Sequence, residues 1–227
     1  MSLAYSRTMK IRRDEVDDAV ALAEDLRRVN AALALHEVEE AKLAEAGALA
    51  RRLRELLEGP RRPRWYDHDP VSPMQSAGAR SSYGDMSPVR GVRNPIAPPL
   101  RVERGARADG TPCMRGEAVL SRAYEGPPHG VHGGFVAALF DELLGAAIGL
   151  APPPGVTATL EVRYRHVTPV EQPLRFEAWV AEDRGRRLVA HATCHAGDVL
   201  TAEAKGLFVR VDFDAVRRRM LGESVDG

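Results

Sequence analysis

The sequence predicts an α+β fold in which an antiparallel sheet wraps around one central helix. Three observations carry this. A single apolar helix pattern covers residues 134–150. One β-like run precedes it, at 117–124, and four follow, at 156–167, 174–182, 187–196 and 199–211. No further helix pattern is interleaved among those runs, which argues against a doubly wound parallel sheet.

The elements divide into three regions. Residues 1–58 read as a helical arm. Between Asp14 and Leu57 there is no proline and one glycine, Gly47, in a stretch dense in Ala, Leu, Glu and Arg. Leu22, Leu26, Val29 and Leu33 follow a 4-3-4 spacing. The seam weakens at His36 and Glu40 and resumes on a shifted face with Leu49, Leu53 and Leu56. This is one long helix or two in an antiparallel pair. It serves as a packing or oligomerisation arm, or as a dedicated partner-binding helix. Asp14 and Asp17 mark its start and Gly59-Pro60 its end. Residues 59–99 are rich in Pro, Arg, Ser and Gly and read as a linker without regular structure. Trp65 and Tyr66 interrupt it, either docked or exposed.

Residues 100–227 form the third region. Gly126-Pro127-Pro128 ends the first strand, and the prolines at 152–154 stop the helix. Alternation is clear from Thr159 to Arg165, and Gly185 and Gly197-Asp198 supply hairpin turns.

Composition sets bounds on function. Apolar residues make up 44% and charged residues 28%, enough for a core. The formal net charge is zero, so bulk attraction to nucleic acid or an anionic membrane is not expected. Two cysteines, Cys113 and Cys194, make no disulfide framework and no zinc spacing. Residues 1–10 lack the apolar core of a secretory signal, and a cytoplasmic location is expected. Residues 131–151 are long enough to span a bilayer, but Asp141 and Glu142 at the centre make insertion costly, and a buried helix explains the pattern better.

The chemistry concentrates in residues 132–141. A His-Gly-Gly turn, His132-Gly133-Gly134, leads into the apolar helix, which carries Asp141 about two turns on. Free N–H groups and a partial positive charge at a helix start can hold an oxyanion. A carboxylate buried within the helix is costly unless something uses it. Together they suggest acyl transfer without a Ser or Cys nucleophile. At about 100° per residue, His132 and Asp141 lie half a turn out of phase and cannot form a dyad within one helix. Asp141 shares its face with Gly134, Ala137, Ala138, Leu144, Gly145 and Ile148, mostly small residues that leave room for a thin chain. Glu142 faces another side and pairs with an arginine. Structural readings stay open for the rest: Asp141 as a buried acid capping a loop, His132 as a turn-stabilising residue, Thr157 as an ordinary strand threonine.

Other chemistries fit poorly. His129, His132 and Asp141 make a weak zinc set. No Gly-x-Ser-x-Gly elbow or Gly-rich nucleotide loop is present. Cys194 and His195 are neighbours on one strand and face opposite ways.

The order of a strand, Glu125-Gly126-Pro127-Pro128, His132-Gly133-Gly134, Asp141, a helix, and four strands ending in residues 202–208 resembles the hotdog-fold acyl-CoA thioesterases of the PaaI-like superfamily. The likeness covers about residues 94–211 and is nearest to the branch with an N-terminal extension. It implies a homo-oligomer, dimer or tetramer, with the active site between subunits. It implies that the Gly133 N–H meets the thioester carbonyl and that His132 is the motif histidine. Asp141 becomes nucleophile or general base, and Thr157, from the partner subunit, positions the water or the carboxylate. Gly134, Ala138, Gly145 and His129 are expected to line the substrate. Arg184, Arg186 and Arg187, a basic hairpin turn, are candidates for the phosphates of coenzyme A, or an exposed solubilising turn. Some relatives carry Asn six residues before the motif His, where this chain has Gly126. The expected reaction is hydrolysis of an acyl-CoA to acid and CoA, with no metal or redox cofactor. The alternative is a non-catalytic acyl-CoA-binding or assembly protein on the same fold. A hotdog dehydratase fits less well, because the order of Asp and His on the helix differs.

Overall fold

A computed structural model of the chain describes residues 17–61, 84–98, 100–153 and 155–211. Asp14, Trp65 and Tyr66 lie outside them.

The arm is two helices, α1 (Asp18–Leu35) and α2 (Glu40–Leu56). They break at His36–Glu39, where the apolar seam weakens. Asp17 caps α1 by accepting from the Ala19 N–H at 3.0 Å. The body is a six-stranded antiparallel sheet in the order β1-β2-β4-β5-β6-β3, where β1 is Arg101–Ala106, β2 Pro112–Val119, β3 Gly155–Tyr164, β4 Pro173–Arg184, β5 Arg187–Ala196 and β6 Val199–Arg210. The helix α3 (Gly133–Ile148) lies against one face of it.

Two features differ from the sequence reading. The run read as a strand at 117–124 ends as a strand at Val119, and Arg122–Tyr124 is a 3₁₀ turn. Before it lies an extra hairpin partner, β1, joined through Asp109-Gly110, where Gly110 takes φ +82°. The last four strands are no simple meander either. β3 pairs with β6, the end of the chain order, and stands at the sheet edge. Turn residues Gly185 (φ +66°) and Gly197 (φ +58°) adopt the left-handed conformation that tight hairpins require.

The core forms because inward positions of the strands and one broad face of α3 are both apolar. Val136, Leu139, Phe140, Leu143, Leu144, Ala147 and Ile148 of α3 are buried against Leu174, Phe176, Leu188, Cys194 and Phe208. Phe140 and Phe176 meet edge to face at 5.6 Å. Cys113 and Cys194 are both buried free thiols.

The stretch 84–98 is not detached from the body. Ser87 and Ala97 within it, and Leu100 just after it, are buried. Arg27 of α1 donates to the carbonyls of Gly91, Val92, Asn94 and Ala97, each at 3.0 Å. Arg93 reaches back to Asp17. The first half of α1 is therefore fastened to the body, and it packs on the 3₁₀ turn. No helix among the described residues is long and apolar enough to cross a membrane.

Candidate active site

The loop before α3 is built almost wholly from backbone bonds. Gly126 N–H donates to the Gly130 carbonyl (2.8 Å), Gly130 N–H to Pro127 (2.8 Å), Val131 N–H to Thr168 (2.7 Å) and His132 N–H to Tyr124 (2.8 Å). His129 adopts φ +60°, and its N–H donates to Glu125 Oε1 at 2.6 Å. That bond is the main reason the Glu125 carboxyl lies below its ordinary range. A Cβ on Gly126 would stand 2.7 Å from His132 Cα. The position that bears Asn in some relatives therefore has no room for a side chain, and whatever such an Asn does is not available here.

His132 is the N-cap of α3. Its Nδ1 accepts the Gly134 N–H at 3.1 Å, which leaves its proton on Nε2. Gly133 is then the first helical residue. Its N–H has no acceptor among the described residues, as expected at a helix start. Its carbonyl accepts from the Tyr164 hydroxyl at 2.8 Å. The result is a fixed, outward N–H at the positive end of a helix dipole.

Asp141 and Thr157 come together within one chain: Thr157 Oγ1 donates to Asp141 Oδ1 at 2.9 Å. The resemblance implies a Thr157 that acts from the partner subunit; within this chain Thr157 bonds Asp141 of its own subunit. A β-bulge explains how. Thr157 pairs with buried Phe208, on the helix side, but after the bulge Thr159 pairs with Leu207 on the other side. The extra residue, Ala158, lets Thr157 face α3 while Glu161 and Arg163 face away.

Asp141 is half-buried, not enclosed as the sequence suggested. Gly134 and Gly145 on its side of α3 are exposed and Ala137 and Ala138 half-buried, whereas Leu144 and Ile148 turn into the core. A Cβ on Gly145 would meet only open space. Glu142 points elsewhere, as expected. It accepts from Ser87 Oγ at 2.9 Å and lies 2.8 Å from Arg90 Nε, an ion pair.

Gly133 and Asp141 are eight residues apart on one straight helix, about 12 Å along its axis. They cannot address one carbonyl from the same chain. The basic turn lies at the Thr157 end of the sheet, since Thr157 and Leu188 both pair with Phe208. Arg184 pairs with Glu182, while the Arg186 and Arg187 side chains make no ion pair among the described residues. Residues the sequence did not flag hold this turn and the site. Arg210 binds Asp183 through both oxygens (2.7 and 2.9 Å) and the Pro153 carbonyl (2.8 Å). Tyr164 fixes Gly133. The Tyr164 bond depends on β3 packing against α3, and the Asp183 bonds on β6 lying one strand away from β4, neither of which local pattern reveals. A cavity of about 370 Å³ opens on the far face of the sheet between Trp179, His191 and Lys205, away from Asp141.

One antiparallel sheet around one helix, with a His-Gly-Gly cap and a helix carboxylate, defines a hotdog-fold protein. Residues 129–203 match the family model of the thioesterase superfamily. The thioesterase superfamily protein RHA08564 is 28% identical and superimposes with a TM-score of 0.67, covering 84% of this chain and 94% of its own. That match extends beyond the body into the N-terminal region. Zebrafish thioesterase superfamily member 2 is 16% identical, with a TM-score of 0.48, over 59% of this chain and 97% of its own. A hypothetical thioesterase from Streptococcus pneumoniae, solved with coenzyme A, is 13% identical, with a TM-score of 0.43, over 48% and 86%. No curated protein sequence matches the chain.

Proposed function

We propose that this protein hydrolyses acyl-CoA thioesters to a free acid and CoA, in the cytoplasm and as a homo-oligomer. The observation that carries the reading is the Asp141–Thr157 pair at 2.9 Å on an open face of small residues. Thr157 occupies one carboxylate oxygen and leaves the other for chemistry. Asp141 either takes a proton from water as the oxygen adds to the carbonyl, or attacks directly to give an anhydride that water then opens. The negative charge that develops on the carbonyl oxygen is received by the Gly133 N–H of a second subunit, because the Gly133 of the same chain is about 12 Å away. When the intermediate collapses, the C–S bond breaks and the CoA thiolate takes up the proton. Arg186 and Arg187, in no ion pair among the described residues, would meet the CoA phosphates at the Thr157 end.

Asp141→Asn keeps shape and removes basicity. A panel of CoA thioesters read by free-thiol release should show turnover down roughly 10²–10⁴-fold. Near-normal turnover in a folded variant overturns the role of Asp141, and an unaltered protein that binds acyl-CoA but releases no thiol from any member of the panel leaves acyl-CoA binding without catalysis. Gly133→Pro deletes the N–H at a position that suits proline, after a His132 (φ −58°, ψ 130°) already in the conformation proline requires of its predecessor; because any Cβ here would stand 3.2 Å from Tyr164, Gly133→Ala, which adds that contact and keeps the N–H, is its control. The proline variant should cost roughly 10²–10³-fold in kcat. Subunit exchange then tests the sharing. Asp141→Asn mixed with Gly133→Pro should recover part of the activity, because one mixed site carries neither lesion. Asp141→Asn mixed with Thr157→Ala should recover none. The reverse pattern would return Thr157 to the partner's site.

A further inference from the structure

We infer that Tyr164 is a positioning residue of the reaction, which keeps the oxyanion-binding N–H of Gly133 in aim from the end of β3. The inference rests on the hydrolase reading above and adds a residue to it.

The first turn of α3 needs such a hold. Gly133 and Gly134 open the helix, and glycine gives up more conformational freedom on ordering than any other residue. Bonds on both sides of Gly133 remove that freedom. The His132 carbonyl accepts the N–H groups of Phe135 (2.9 Å) and Val136 (3.3 Å), which fixes the peptide that carries the Gly133 N–H. His132 Nδ1 accepts the Gly134 N–H at 3.1 Å. The remaining hold comes from outside the helix. The Tyr164 hydroxyl donates to the Gly133 carbonyl at 2.8 Å, beyond the bond that the helix ladder offers every carbonyl. The ring contributes as well. A Cβ on Gly133 would stand 3.2 Å from both Tyr164 Cζ and Oη, so the ring closes the open side of that glycine. Tyr164 is 53% exposed and outside the buried core. Its hydroxyl serves the backbone of the site, not the packing.

The strand is built to supply it. Thr157 and Tyr164 are seven residues apart, an odd number, and on a regular strand they would face opposite sides. The bulge between Thr157 and Thr159 corrects the parity. Thr157 pairs with Phe208 and Tyr164 with Ala202, both buried on the helix side. One edge strand thereby reaches both poles of the reaction on α3, the carboxylate through Thr157 and the oxyanion donor through Tyr164.

Tyr164→Phe keeps the ring and removes the bond. In the full chain, kcat on the fastest CoA thioester of the panel should fall roughly 5–50-fold, with KM changed less than about twofold. Two non-hydrolysable analogues of that thioester locate the loss. In one, CH₂ replaces the sulfur and the ketone keeps the carbonyl oxygen. In the other, CH₂ replaces the carbonyl and leaves a thioether. The unaltered protein should bind the ketone more tightly than the thioether. Tyr164→Phe should weaken the ketone by roughly threefold or more and leave the thioether as it was. An unchanged kcat, or a loss that falls on ketone and thioether alike, overturns the role of Tyr164. Equal binding of the two analogues by the unaltered protein overturns the oxyanion role of Gly133, and this inference with it.

Discussion

α2 and α3 are nearly equal in length, 17 and 16 residues, and opposite in every other respect. α3 buries seven side chains, has two glycines in its first turn and is held by the sheet beneath it. α2 buries none and is dense in alanine, glutamate and arginine. The first is helical because burial demands it, the second because its residues favour it locally. A helix of the first kind can carry a costly feature such as Asp141 and an N-terminal Gly-Gly, since the packing of its far face fixes it. A helix of the second kind buries nothing that could hold such a feature in place.

That contrast can be broken in order of size. Phe140→Ala removes a ring at the centre of α3 and its edge-to-face contact with Phe176. Urea unfolding should show a loss of about 3–5 kcal/mol. A loss below about 1 kcal/mol would mean that α3 is not the keystone. Arg27→Lys lies between the two helices. An ammonium has three donors and no planar fork, so it cannot satisfy four carbonyls at once. About 1–3 kcal/mol should be lost, and the amides of residues 91–97 should exchange faster. Unchanged exchange would show that the fastening is incidental.

Acid should act on the loop ahead of α3 before it acts on the helix. The Glu125 carboxyl is lowered by its bond from His129, so the ionised form steadies the turn at any pH above the ordinary glutamate value, about 4.3. That contribution is lost as pH falls below it through the depressed value. Asp17 and Asp183, lowered by Arg93 and Arg210, follow the same sign. Exchange at His129 and Gly130 should accelerate reversibly in that acid window, and a flat profile would exclude the bond in solution. The smallest effect belongs to α2. Leu56→Ala on a surface 64% exposed should change the stability of the chain by less than about 0.5 kcal/mol.

Legibility divides along the same line. α3, the prolines that stop it, the turns at Gly185 and Gly197 and the span of β5 were all readable, because periodicity and turn chemistry are local. So was the turning of Glu142 to a different side of the helix from Asp141, where it pairs with Arg90. The order of the sheet was not. Nothing near residues 155–164 says that β3 runs beside β6, and with that pairing went the Thr157–Asp141 bond and the Tyr164–Gly133 bond. β1 escaped because its strand is short and mostly exposed. The stretch 84–98 read as linker since its composition is that of a loop. Its attachment is supplied by Arg27, 64 to 70 residues earlier, and by the contacts of Ser87 and Arg90 with Glu142, and composition cannot show that.

Arg27 also decides where the molecule can be cut. A fragment beginning at Gly84 would keep every strand and the whole of α3, yet leave the carbonyls of Gly91, Val92, Asn94 and Ala97 without their donor. The smallest transplantable piece is therefore discontinuous in sequence: residues 17–35 together with 84–211. Any exchange of parts between this chain and a relative has to carry both pieces, or neither.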